Sequence, residues 1–317
     1  LGRVAAIPAL LLWLVLADAL FGQGIVGSLS VLWQTDNLSA PKSSTDGKTQ
    51  GPGTDLHHTL TGNIQVHHNF HSRNLNTDRD VIVYLPPGYD HDPSRRYPVL
   101  YLQDGQNLFD SATAFLGNEW GLDETAELLI SGGQIEPLIM VGVYNTGMKR
   151  IGEYTPVRDR RGRGGQARRY GRLMVEDLKP FIDERYRTYR DQANTGLGGS
   201  SLGGLVTMYL GLEYPNVFGK LVVMSPSVWW ANRDILLRVE KLKKKLPLKI
   251  WLDIGTAEGS NAGMTERDAV SLRDALIEKG WQLGQDLGFE VDQGAGHNEQ
   301  AWGNRIRDAL KFLYPFP

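Results

Sequence analysis

Residues 195–205 read TGLGGSSLGGL, two adjacent serines, Ser200 and Ser201, among five glycines. Three chemistries compete for such a stretch: a loop that cradles phosphate, a flexible turn, and a tight bend that presents a nucleophile. A phosphate loop needs Lys and then Ser or Thr after its last glycine, and no lysine follows here. A dinucleotide fingerprint places a third glycine where Ser201 stands. What remains is Gly199-x-Ser201-x-Gly203, with small residues two before and two after the serine, as a sharp strand-to-helix bend requires. Ser200 has Leu202 two residues later, too large for the packed side of that bend. A helix starting directly after the bend aims its first backbone N–H groups at developing negative charge, which makes Leu202 a candidate oxyanion donor.

A serine hydroxyl is a poor nucleophile near neutral pH without a base. Of the seven histidines, only His297, in GAGHNEQAW, follows the bend; the other six lie between His57 and His91. His297 falls after the apolar segment LGFEV (287–291) and before a helical pattern. The base in turn needs a carboxylate to hold its tautomer, and WLDIGTAEG offers Asp253 and Glu258. Asp253 lies inside a strand pattern. Glu258 lies past its carboxyl end, in the loop where parallel sheets keep their working residues, so Glu258 is favoured and Asp253 is the alternative. A second oxyanion donor is expected after an early strand, in LQDGQN, with Gly105 permitting the turn and Gln106 offering its backbone N–H. His67 and His71, in VHHNFH, sit on an early strand whose neighbouring residues face opposite ways, so they do not read as a metal site. No metal or cofactor is required.

These residues need a scaffold, and the rest of the chain supplies one. DVIVYLPP (80–87), YPVLYLQDG (97–105), PLIMVGVYN (137–145), KLVVMSPS (220–227) and LKIWLDIGT (248–256) read as strands, several apolar on both faces. Helical patterns cover 170–187, 205–214, 265–280 and 299–313. Strands alternating with helices predict an α/β fold, a mostly parallel sheet with helices on both faces. The segment 158–172 holds seven arginines and one aspartate and is expected to be a mobile surface loop, with a rim that contacts an anionic substrate or partner as the alternative. KLKKKL (241–246) reads as the solvated end of a helix. RIGEYTPVRD (150–159) follows a strand end and is expected at the rim of the cleft. Trp229 and Trp230, in SPSVWW, are candidates for lining a substrate pocket, with core packing as the alternative for at least one.

With 317 residues, 41% of them hydrophobic, the chain suits one large α/β domain plus an extension. Net charge is −2, which gives no global field for nucleic acid. The absence of cysteine removes disulfides and thiol chemistry. Residues 1–22 combine Arg3, a 13-residue apolar run from Val4 to Leu16, and Ala17 and Ala19 spaced as Ala-x-Ala. That is the layout of a secretory signal peptide, with an N-terminal membrane anchor as the alternative, and membrane contact only if the segment is retained. Residues 23–55, rich in Ser, Thr, Gly and Pro from 35 onward, read as a disordered linker, and 56–317 as the catalytic domain. A secreted or periplasmic location follows.

VYLPPGYD, YPVLYLQDGQNLFD, GGSSLGGL, MSPSVWW, DIGTAE and GHNEQAW occur here in that order. From about residue 61 to the end, the chain resembles the esterase family of α/β hydrolases that includes feruloyl and acetylxylan esterases, S-formylglutathione hydrolases, siderophore esterases and mycolyltransferases. The resemblance implies the α/β-hydrolase fold, with Ser201 as nucleophile, Glu258 at the acid position, His297 as base, and Gln106 with Leu202 as oxyanion donors. The family's acid is more often aspartate. The expected partner is a small-molecule or polysaccharide-linked ester, acetyl or feruloyl esters being candidates. The alternatives are a siderophore lactone, acyl transfer to an alcohol on the same fold, and a non-catalytic carbohydrate-binding protein, which would usually have lost a member of the Ser201, Glu258 and His297 set.

Overall fold

The computed structural model describes residues 58–316. The segments read as leader (1–22) and linker (23–55) lie outside the described residues. The described residues form eight strands: β1 (Asn63–Ser72), β2 (Thr77–Leu85), β3 (Val99–Gln103), β4 (Ile139–Val143), β5 (Thr195–Ser200), β6 (Lys220–Met224), β7 (Lys249–Gly255) and β8 (Leu287–Asp292). They form one sheet in the order β1-β2-β4-β3-β5-β6-β7-β8. β2 runs antiparallel to both its neighbours. From β4 through β8 every pairing is parallel.

Eight helices accompany the sheet among the described residues: α1 (Leu122–Ser131), α2 (Arg150–Tyr154), α3 (Ala167–Arg172), α4 (Lys179–Arg185), α5 (Leu202–Glu213), α6 (Trp230–Glu240), α7 (Ala262–Glu278) and α8 (Glu299–Leu313). Val99 and Tyr101 of β3 pack on one side with Leu173, Val206 and Leu272. Leu100 and Leu102 point to the other side and join Leu122, Leu129, Ile306 and Leu310 of α1 and α8. β3 and β4 are therefore buried on both faces, which is why their sequences read as unbroken apolar runs.

The helix expected over 170–187 is present as an uninterrupted helical run over 167–185, but its hydrogen-bond pattern changes along the way. α3 passes into a π-helical turn at Leu173–Leu178 and only then into α4. Pro180 has no N–H to give the carbonyl of Glu176, and that oxygen instead accepts from Arg73 Nη2 at 3.4 Å. The arginine-rich segment lies largely at the surface, as expected, and carries local structure of its own. Its single aspartate, Asp159, accepts hydrogen bonds from the backbone N–H groups of Arg161 and Arg163 at 2.9 and 2.8 Å, and α3 occupies its second half. α1 and α2 were not anticipated, although Leu122, Ala126 and Leu129 carry the spacing of a buried helical face, and KLKKKL lies just past the end of α6 rather than within it.

Candidate active site

The parallel register brings the carboxyl ends of β3 through β8 to one edge of the sheet, with β5 near its middle. There the chain turns from β5 into α5 through a single residue. Ser201 adopts φ 58 and ψ −121, a conformation that costs a non-glycine residue energy and that the surrounding structure must impose. The glycines make it affordable sterically. A Cβ on Gly199 would lie 2.8 Å from Gln103 Cγ and 3.0 Å from the backbone of Gly203, and one on Gly204 would lie 2.8 Å from the Met224 carbonyl. The bend is pinned by Ser201 N–H donating to Met224 O at 3.0 Å and Ser227 N–H donating to Ser201 O at 3.1 Å. Ser200, one residue earlier, is buried at the strand end, 5% exposed.

His297 stands in the loop between β8 and α8, held next to the helix start because the Asn298 side chain accepts from Ala301 N–H at 3.0 Å and caps it. Its Nε2 is 2.9 Å from Ser201 Oγ, and its Nδ1 is 2.8 Å from Glu258 Oε2. A carboxylate only accepts, so the proton resides on Nδ1 and Nε2 is left to accept from the serine hydroxyl. The edge of the imidazole meets the Trp302 ring, centroids 4.9 Å apart and planes at 84°.

Glu258 lies in the loop beyond β7, and its side chain is 1% exposed. Its second oxygen accepts from Gly255 N–H at 2.9 Å and from the Ser225 hydroxyl. Asp253, the alternative acid, is inside β7 and faces elsewhere: it accepts from Trp251 Nε1 at 2.9 Å and Arg305 Nε at 3.0 Å. Burial drives its carboxyl up to about 6, outweighing the opposing pull of Arg305.

Leu202 is the first residue of α5, so its N–H has no carbonyl within the helix to bond and is free to face an oxyanion. Gln106 occupies the short helical turn Gly105–Asn107 that follows β3, ahead of the first bond of that turn, Asn107 N–H to Asp104 O at 2.9 Å. A Cβ on Gly105 would come 2.5 Å from the Gly142 carbonyl carbon of β4, so no larger residue permits this approach. The turn begins at Asp104, itself at φ 57, which Arg150 grips with two bonds of 2.7 Å and Asn145 with one of 2.8 Å. The segment expected at the cleft rim thus also anchors this turn. Its Glu153 is buried and bonds Arg79 at 3.0 and 3.1 Å.

The two tryptophans part company. Trp230 is 3% exposed, with Nε1 donating to Val157 O at 2.9 Å, so it belongs to the core rather than to a pocket wall. Trp229 is 39% exposed and is available to a ligand. His67 and His71 have separate partners, Tyr186 OH at 2.6 Å and Asp78 Oδ1 at 2.6 Å. Sequence reasoning missed Ser225, Arg305, Asp104 and Arg150. All four lie in or beside motifs already noticed, but the pairing of Arg150 with Asp104 spans 46 residues and that of Arg305 with Ser225 spans 80, and no local pattern announces either.

A mostly parallel sheet with helices on both faces and a nucleophile-type bend at the end of its fifth strand defines the α/β-hydrolase class of enzyme. Residues 72–313 match the family model described as "Putative esterase", and the chain belongs to that family: it is a carboxylic ester hydrolase. It is 30% identical over 247 residues to the protein YbbA of Bacillus subtilis (strain 168), covering 75% of this chain and 93% of that one. It is 30% identical over 282 residues to an endo-1,4-beta-xylanase/feruloyl esterase of Xylanibacter ruminicola, covering 82% of this chain but 32% of that protein. Against the ferri-bacillibactin esterase BesA of Bacillus subtilis (strain 168) identity is 26%, covering 74% and 84%. Among solved structures, an IroE-like serine hydrolase from Shewanella oneidensis superposes with a TM-score of 0.65 at 23% identity over 80% of each chain, a likeness of fold.

Proposed function

We propose that the ester hydrolysis proceeds through an acyl-enzyme on Ser201, with His297 as base and Glu258 as acid. The observation that carries this reading is the unbroken chain from Ser201 Oγ through His297 to Glu258, with links of 2.9 and 2.8 Å. Ser201 Oγ attacks the ester carbonyl while His297 Nε2 takes its proton, and Glu258 stabilises the imidazolium that forms. The backbone N–H groups of Gln106 and Leu202 receive the negative charge on the carbonyl oxygen. Collapse of the tetrahedral adduct breaks the bond to the alcohol, which leaves with the proton from His297. Water then attacks the acyl-enzyme, His297 accepts its proton, and the second collapse returns that proton to Ser201 and releases the acid.

The substrate is a carbohydrate-linked acetyl or feruloyl ester, with Trp229 as a wall for its aromatic or sugar part. The similarity to the xylanase/feruloyl esterase supports this choice. The similarity to BesA supports a second reading, a siderophore lactone. Residues 1–22 direct export to a secreted or periplasmic location, as their charged start, apolar run and Ala-x-Ala spacing favour. Initial rates on acetylated xylan, a feruloylated arabinoxylan fragment and a catecholate trilactone separate the two substrate readings: preference for the trilactone would replace the first with the second. N-terminal sequencing of the chain exported by a bacterial host tests the leader, and an intact Leu1 in the membrane fraction would replace it with an anchor.

A further inference from the structure

Directly after β6, Ser225 is 1% exposed and adopts φ 41, a backbone setting that glycine fills most easily. Serine adds a CH2OH group there, and three side chains converge on its hydroxyl. Trp302 Nε1 approaches at 3.0 Å, Arg305 Nη2 at 2.8 Å, and Glu258 Oε1 completes the set. Tryptophan and arginine side chains only donate hydrogen bonds, so they take the two lone pairs of the hydroxyl. Its single proton is left for Glu258. The direction of this relay is fixed by the chemistry of the three partners.

Arg305 is itself held from behind. Its side chain is 2% exposed, and it donates from Nε to Asp253 Oδ1 at 3.0 Å while Nη1 lies 3.5 Å from Asp292 Oδ2. Nη2 also lies 3.8 Å from Glu258 Oε1, so its positive charge reaches the acid both across space and through Ser225. Gly255 N–H supplies the other donor to the same oxygen, at 2.9 Å. With Oε1 tied on both sides, the carboxylate can present only Oε2 to His297. Trp302 and Arg305 lie one turn apart on α8, the helix that begins immediately after His297, so one element places both the base and the support for its acid.

We propose that Ser225 and Arg305 are positioning residues, which fix the rotamer and polarity of Glu258 and through it the tautomer of His297, without touching Ser201 or substrate. The proposal rests on Glu258 being the acid. It extends the reacting chain by two residues that lie on separate elements, the β6 end and α8.

The test compares Ser225→Gly, which suits φ 41 and removes the hydroxyl together with its single carbon, with the unaltered chain. The readouts are hydrolysis of p-nitrophenyl acetate and the low-field proton NMR signal of the His297 Nδ1–H. The expected result is a kcat lower by about 10–100-fold, the loss usual when a group orienting a functional side chain is removed, with KM little changed and the low-field signal shifted or lost. Arg305→Lys, which keeps a donor and a charge, is expected to retain more kcat than Arg305→Gln. In a Glu258→Gln background, Ser225→Gly should add little further loss, because a residue acting through Glu258 has nothing left to act on. Wild-type kcat and an unmoved signal in Ser225→Gly, or an equal loss in both backgrounds, would overturn the proposal. A wild-type rate in Glu258→Gln alone is a different result: it removes the acid assignment first, and this proposal with it.

Discussion

Glu258 meets His297 from outside the sheet: the carboxylate lies in the loop past β7, yet its Oε2 reaches Nδ1 at 2.8 Å. Asp253, five residues earlier and within the strand, is turned toward Arg305 instead. The extra methylene of glutamate spans the distance that a loop position adds. The expected consequence is that Glu258→Gln lowers kcat by orders of magnitude, approaching the ~10⁴-fold loss seen when a triad acid is replaced by its amide. Asp253→Asn should keep most of the rate per folded molecule. Steady-state kinetics on both variants, with circular dichroism to confirm folding, checks this; a dead Asp253→Asn beside an active Glu258→Gln would reverse the roles.

Asp253 should instead show itself in stability against pH. Its carboxyl is raised from 3.8 to about 6 in the folded chain, with burial as the largest cause. The native state therefore binds this proton more tightly than the unfolded chain does. The stability contributed by the group is present below the unfolded value and is lost as pH rises through about 6. Urea unfolding of the full chain at a series of pH values should show this downward component, and Asp253→Asn should remove it. An unchanged pH dependence in the variant would mean that other groups set it.

The bend at Ser201 depends on empty space at Gly199. An added methyl there would sit 2.8 Å from Gln103 Cγ and 3.0 Å from the Gly203 backbone. Gly199→Ala should cost about 1–3 kcal/mol, the usual range for overpacking. It should also lower kcat, because relief of the clash moves Ser201 away from His297. Thermal unfolding and kinetics test both effects, and a variant with unchanged melting temperature and rate would show that the close approach is not needed.

Much of this arrangement was legible in the sequence because its signals are local. The glycines around Ser201 are dictated by a bend spanning five residues, and the strands β3 and β4 by burial on both faces. Ser201, His297 and Glu258 were readable one at a time from their places after strands, and the structure brings them within hydrogen-bond reach. The helix over 167–185 was legible and so was Pro180 within it, but not the π-helical turn before that proline, nor that Arg73 would take up the freed Glu176 carbonyl. That Asp159 accepts from the backbone of its neighbours in the arginine-rich segment is not something composition alone reports. Ser225 and Arg305 were invisible for a different reason: they lie 80 residues apart in sequence, and only packing of α8 against the sheet joins them.

Acyl transfer shares every step up to the acyl-enzyme, and partition at that point distinguishes it from hydrolysis. With p-nitrophenyl acetate and a competing alcohol such as glycerol, hydrolysis predicts acetate as the main product, and p-nitrophenol release that is insensitive to the alcohol when acylation limits the rate. Predominant formation of glyceryl acetate in dilute alcohol would reassign the reaction to transfer.

The central claim is that Ser201, and not its neighbour Ser200, carries the acyl group. Diisopropyl fluorophosphate phosphorylates an activated serine, and peptide mass mapping then locates the label. The account predicts a single adduct on Ser201, which stands 2.9 Å from His297 Nε2 at the tip of the bend. It predicts that Ser201→Ala abolishes labelling and leaves only a residual hydrolysis rate, while Ser200→Ala still labels and retains most activity. A label on Ser200, or labelling that persists in Ser201→Ala, would contradict it.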